Sequence, residues 1–107
     1  MTKNDTFTFT SWGETYKCRF QPGRYGNGNY ALRIVDADTG EPIATATTNY
    51  ENVILHPNYI FIKDWSENRG MLQTLMDLGV VEKHLIADGE PTYHRLTDSG
   101  LELFKGI

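Results

Sequence analysis

Only one cysteine, Cys18, occurs among the 107 residues, so no disulfide can form within the chain. That pattern points to a reducing compartment. A lone thiol on an alternating strand reads as a small buried hydrophobe. Long apolar runs are missing as well; none approaches the about 20 residues that a bilayer span requires. The opening Met1-Thr2-Lys3-Asn4-Asp5 is polar and no apolar run follows it, unlike a signal peptide. A cytoplasmic location with no membrane contact is therefore expected. The chain also lacks cationic excess: Lys and Arg number 10 against 14 Asp and Glu, a formal net charge of -4. Phosphate neutralisation dominates nucleic-acid affinity, so no direct nucleic-acid contact is expected. Lys17, Arg19 and Arg24 form the main basic concentration and read as a solvated strand face with its turn. An acidic surface suits a basic protein partner better.

The signatures of chemistry are missing too. His56, His84 and His94 with Cys18 fall at no helical His spacing and form no Cys-x-x-Cys clip, so no metal is expected. His84 and His94 could face each other across a hairpin, but a site also needs a third ligand and outer support. Gly23-Arg24-Tyr25-Gly26-Asn27-Gly28 lacks the Walker spacing and opens into a strand, so it offers no helix dipole to a phosphate. There is no Gly-x-Ser-x-Gly elbow, and Cys18 has no evident activating neighbour. Asp36 with Asp38, and Asp64 with Glu67, read as turn and cap residues. No catalytic residue and no cofactor are expected.

What is present is material for one domain. Hydrophobic residues make up 39% and aromatics 12% of the chain, enough for one core at this length. Thr6-Phe7-Thr8-Phe9-Thr10 alternates strictly, Gly13-Glu14 turns the chain, and Thr15 to Gln21 alternates again with Tyr16, Cys18 and Phe20 on one face. Pro22 to Asn29 is dense in turn formers, and Asn27-Gly28 suits a type I′ turn. Tyr30, Leu32 and Ile34 mark a third strand, Asp36 to Pro42 a turn, and Ile43 to Thr48 a strand of small residues that invites close approach by a helix. Tyr59-Ile60-Phe61-Ile62 reads as a central strand. Met71, Leu72, Leu75, Met76 and Leu78 then take helical spacing. Asp64 with Glu67 has the form of a capping box, Ser66 is a rival cap, and Gly79-Val80 suits a Schellman ending. Val80 to Ile86 and Thr92 to Leu96 suggest a closing hairpin around Asp88 to Pro91. Leu101 to Phe104 could be a last helical turn or an edge strand. The expected fold is α+β: a mostly antiparallel, curved sheet of about five to seven strands, with one helix over about 65–78 on one face.

Lys63-Asp64-Trp65-Ser66-Glu67-Asn68-Arg69-Gly70 carries more polar residues than capping needs. Trp65 could cover the helix start as a staple. It could also belong to a recognition patch, since Trp, Tyr and Arg are the enriched hot-spot types. Trp65, Glu67, Asn68 and Arg69, with Tyr25 and Asn27 of the glycine-rich turn, are the candidate binding residues.

Phe61 to Leu72, continuing through Leu78-Gly79-Val80-Val81-Glu82, resembles a small family with a Lys-Asp-Tyr-Ser-Glu-Asn-Glu-Gly-Met-Leu segment followed by Gly-Val/Ile-Val-Glu. Gly26 to Asn29, Asp36 to Pro42 and Ala44 to Asn49 resemble its turns and one strand. The likeness spans roughly residues 12 to 82. Trp65 stands where tyrosine is usual and Arg69 where an acidic residue is usual, and the ending from Thr92 differs. The family is a domain of unknown function carried by phages, plasmids and conjugative elements, so it supplies no site residues. That association with mobile elements, together with the acidic net charge, points to a non-enzymatic accessory or inhibitor protein of a mobile element, anti-CRISPR-like, that occupies a basic surface of a host complex. A small-molecule or nucleotide binder using Tyr25, Tyr30 and Trp65 is the alternative, and a concealed hydrolase or transferase the third reading. The uncharged Thr6–Thr10 alternation could also pair two copies edge to edge.

Overall fold

The computed structural model describes residues 2–83 and 93–107. Strands β1 (Thr6–Ser11), β2 (Glu14–Arg24), β3 (Tyr30–Asp36) and β4 (Pro42–Thr45) form an antiparallel sheet in that order. β5 (Tyr59–Phe61) pairs antiparallel with β6 (Tyr93–Arg95) in a second sheet. A 3-10 turn (Ser66–Asn68) precedes helix α1 (Met71–Asp77), and α2 (Asp98–Leu103) follows β6. The α+β class and the antiparallel pairing are as expected.

The single sheet of five to seven strands is not what forms. Its described strands divide four and two, joined by the isolated bridge Thr47↔Ile62. A side chain makes the division. Thr47 is buried, and its Oγ1 accepts the Leu32 N–H at 3.0 Å, so a hydroxyl occupies the place of a ladder carbonyl. The main chain hands over next door: Ala46 donates to Leu32 O at 2.7 Å, and Lys63 donates to Ala46 O at 2.9 Å.

Phe7, Phe9, Cys18, Phe20, Leu32 and Ile34 face inward from the larger sheet and join one core with Ile60, Ile62, Met71, Leu72 and Leu75. Cys18 is fully buried, and its thiol donates to Tyr16 O. β2 runs straight through Pro22-Gly23, which the sequence suggested as a turn; Pro22 pairs with Leu32 and Gly23 with Ala31. Proline is tolerated because main-chain direction alternates along a strand. Tyr25 N–H points to β3, bonding Asn29 O, so the missing donor of Pro22 points toward β1, which has ended at the Thr6↔Arg19 pair. The following turn is not type I′ either. Gly28 N–H bonds Tyr25 O at 2.9 Å, and Gly28 has φ 91° while Asn27 does not enter that region. This is a turn closed by a left-handed glycine, the three-residue hairpin arrangement.

The predicted helix over 65–78 is also divided. Gly70, at φ 90°, separates the 3-10 turn from α1. Asp64 still caps, but over a distance: its Oδ1 accepts from Leu72 N–H at 3.0 Å. Glu67 does not complete a capping box; it forms an ion pair with Lys63. The other end is as predicted: Gly79 N–H bonds Met76 O and Val80 N–H bonds Leu75 O, the paired bonds of a Schellman ending around Gly79 at φ 75°. The tail is helical rather than an edge strand. Thr97 Oγ1 accepts from Gly100 N–H at 3.0 Å, capping α2, and donates to Gly79 O at the end of α1. Of the closing hairpin, the Val81↔Leu96 bridge and the Glu82 N–H to Arg95 O bond are present; its turn at 88–91 lies outside the described residues. Among the described residues no helix is long and apolar enough to cross a membrane.

Candidate functional site

β1 and β2 join through two residues, Trp12 and Gly13, because Ser11 pairs with Glu14. Trp12 has φ 50° and Gly13 φ 81°, as a type I′ turn requires of both centres. Glycine suits this and tryptophan does not. The left-handed conformation costs an ordinary residue roughly 1–2 kcal/mol, yet the indole stands 78% exposed and gains little from burial in return.

The 3-10 turn lies beside this tip. Ser11 Oγ donates to Glu67 O at 2.9 Å, tying the hairpin end to the turn. Thr10, Trp12, Ser66, Glu67 and Arg69 line one open cleft. Ser66 has φ 59°, and Trp12 and Ser66 are the two non-glycine residues found at positive φ among the described residues. Both therefore lie on one cleft. Trp65, immediately before the turn, is 44% exposed, and Arg69 immediately after it is exposed. Lys63 donates to Glu67 and holds its carboxyl below the usual carboxylate range, so that charge persists into mild acid.

The six residues singled out from sequence do not form one group. Glu67 and Arg69 line this cleft, and Trp65 directly precedes its Ser66 in the chain. Asn68, between them, is fully buried and donates to Thr45 O at 2.6 Å, pinning the turn to β4; its Oδ1 has no partner among the described residues. Tyr25 bonds Thr47 Oγ1 through its hydroxyl at 2.9 Å. Asn27 points its amide at the carbonyls of Tyr50, Glu51 and Val53 and accepts from Asn29 N–H. Asn29 reinforces it, donating to Val53 O and Asn49 and accepting from Leu55 N–H. These side chains hold the connector between β4 and β5. Trp12 was missed because nothing in residue preference puts tryptophan in a type I′ turn. The available signal was a Trp-Gly pair separating two alternating runs.

Tyr30 stacks on Phe104 at 4.2 Å under the Arg24 guanidinium, and lines a cleft to which neither Tyr25 nor Trp65 contributes. Among the described residues no group of three or more His, Cys, Asp or Glu could hold a metal ion. His94 is buried on β6 and His56 is exposed in the connector; His84, the other half of the suggested His84–His94 pair, lies outside the described residues. Burial pushes the Cys18 thiol up from its ordinary pKa, opposite to the shift that activates a nucleophile. Comparison with family models, curated proteins and solved structures finds no match, which leaves function to be read from the chain's own surfaces.

Proposed function

We propose that this chain is a non-enzymatic protein-binding protein whose contact surface is the Trp12–Gly13 tip together with Trp65, Ser66 and Arg69. One observation carries the reading: the two left-handed non-glycine residues, Trp12 and Ser66, line the same cleft. Backbone strain of this kind gathers where structure serves recognition. Two exposed tryptophans and an arginine beside it are the residue types that dominate binding energy at interfaces. An indole raised on a hairpin end reaches a concave partner with few torsions left to fix.

The net charge of -4 and the resemblance to proteins of phages, plasmids and conjugative elements suggest the kind of partner: a host complex with a basic surface. Inhibition of a defence complex in the host cytoplasm is the specific form of this reading. The Trp12→Asn variant separates binding from folding, because asparagine is the residue a type I′ turn prefers. The expected result is a folded variant that captures no host protein which the unaltered chain captures reproducibly. Arg69→Ala should weaken the same capture at least tenfold. Equal capture by both variants and the unaltered chain would remove this surface from consideration.

A further inference from the structure

We infer that β1 is a self-pairing edge, through which two copies join antiparallel about Thr8 into one continuous eight-stranded sheet. The main-chain directions fix which groups are free. Lys17 O bonds Ala37 N–H on the β3 side, so Lys17 and its cross-strand partner Thr8 form a wide pair of the β1–β2 ladder. The same holds for Thr6↔Arg19 and Thr10↔Thr15, two residues to either side. Thr6, Thr8 and Thr10 therefore turn both N–H and C=O away from β2, and β1 is the terminal strand of its sheet. Among the described residues no other element takes these bonds.

Proteins blunt such an edge with charge, proline or a bulge. Thr6-Phe7-Thr8-Phe9-Thr10-Ser11 has no charge or proline, and its register against β2 is unbroken. The alternation is also its own complement. With Thr8 on the two-fold axis, Thr6 faces Thr10 of the second copy and Phe7 faces Phe9. Every outward N–H and C=O of the three threonines then has a partner. Threonine–threonine and aromatic pairs across strands are favourable, and no charges are set opposite each other within the six residues. The Lys17 side chains of the two copies stand three strand spacings apart, about 14 Å, beyond the about 8 Å screening length at physiological salt. The symmetry is isologous and closes at two copies, so a dimer forms rather than a fibre.

The test is sedimentation and light scattering from roughly 10 µM to about 1 mM, with two variants of the exposed Thr8. Thr8→Glu places a carboxylate beside Lys17 within one copy and opposite its own twin across the axis. Thr8→Lys places an ammonium opposite its own twin across the axis, and opposite Lys17 within one copy. The unaltered chain should pass from monomer to dimer with concentration. Each variant alone should remain folded and monomeric, with Thr8→Lys melting slightly lower because its ammonium faces Lys17, and an equimolar mixture should dimerise. Amide exchange at Thr8 should slow at least tenfold as the unaltered chain is concentrated, with Phe7 and Phe9 unchanged. A strict monomer throughout, or a dimer that survives in both single variants, would overturn the inference. Because Trp12 lies outside the paired residues, loss of partner capture by Trp12→Asn and loss of dimer by Thr8→Glu are separate results.

Discussion

At the residue scale the informative positions are those where side-chain preference and backbone conformation disagree. Trp12 is the clearest: a bulky residue at φ 50° with its ring largely in solvent. Trp12→Asn should therefore raise stability by roughly 1 kcal/mol, since the left-handed cost falls and little packing is lost. A rise of a few degrees in the thermal midpoint is the expected reading; a fall would mean that the indole holds the tip together. Asn27 shows the opposite relation. Its identity was legible as a turn former, but its work was not, because the three carbonyls it serves lie more than 20 residues along the chain. Residue preference reports local backbone and cannot report a distant acceptor. Cys18 was legible, since burial of a small apolar side chain follows from alternation alone.

At the element scale, local bonds were readable and remote ones were not. The end of α1 followed from Gly79-Val80, because a Schellman ending is closed by bonds within a few residues. Its start did not follow. Asp64 caps Leu72 eight residues on, and the break at Gly70 lies between them. The passage of β2 through Pro22 was likewise hidden, since the missing donor is harmless only where β1 has already stopped. α2 depends on one close approach. A Cβ on Gly100 would lie 2.1 Å from Val80 O and 3.0 Å from Leu96 Cδ2. The neighbour at 2.1 Å is backbone and cannot swing aside, so Gly100→Ala should cost about 3 kcal/mol. Chemical denaturation should show a lower midpoint, and a circular dichroism spectrum should show less helix. An unchanged midpoint would mean that α2 is not seated against Val80.

At the scale of the whole molecule, the class and the antiparallel order followed from periodicity, while the division into two sheets did not. That division rests on Thr47 taking the Leu32 N–H, a tertiary contact with no local signature. Response to acid also belongs to this scale. Thr39 and Asp38 donate main-chain N–H groups to the Asp36 carboxylate, which lowers its pKa, and Lys63 lowers that of Glu67. Carboxyls depressed in the folded state release protons more readily there than in the unfolded chain. The stability they add is therefore complete above the ordinary carboxylate pKa and disappears as pH falls through their depressed values. Denaturant midpoints should stay level from neutrality to roughly pH 5 and then decline below about pH 4. Asp36→Asn should flatten part of that decline; a midpoint that rises on acidification would contradict the sign. The loop around Asn27 has a further consequence, for the ageing of the protein. Asparagine before glycine is prone to deamidate, because an unhindered glycine nitrogen can attack the side-chain amide and expel ammonia. Here that nitrogen is already occupied by Tyr25 O, and the amide is held among three carbonyls, so folding shields the bond chemically as well as sterically. Once a molecule has unfolded and reacted, its new carboxylate faces those same oxygens, and the connector it once fastened is pushed away.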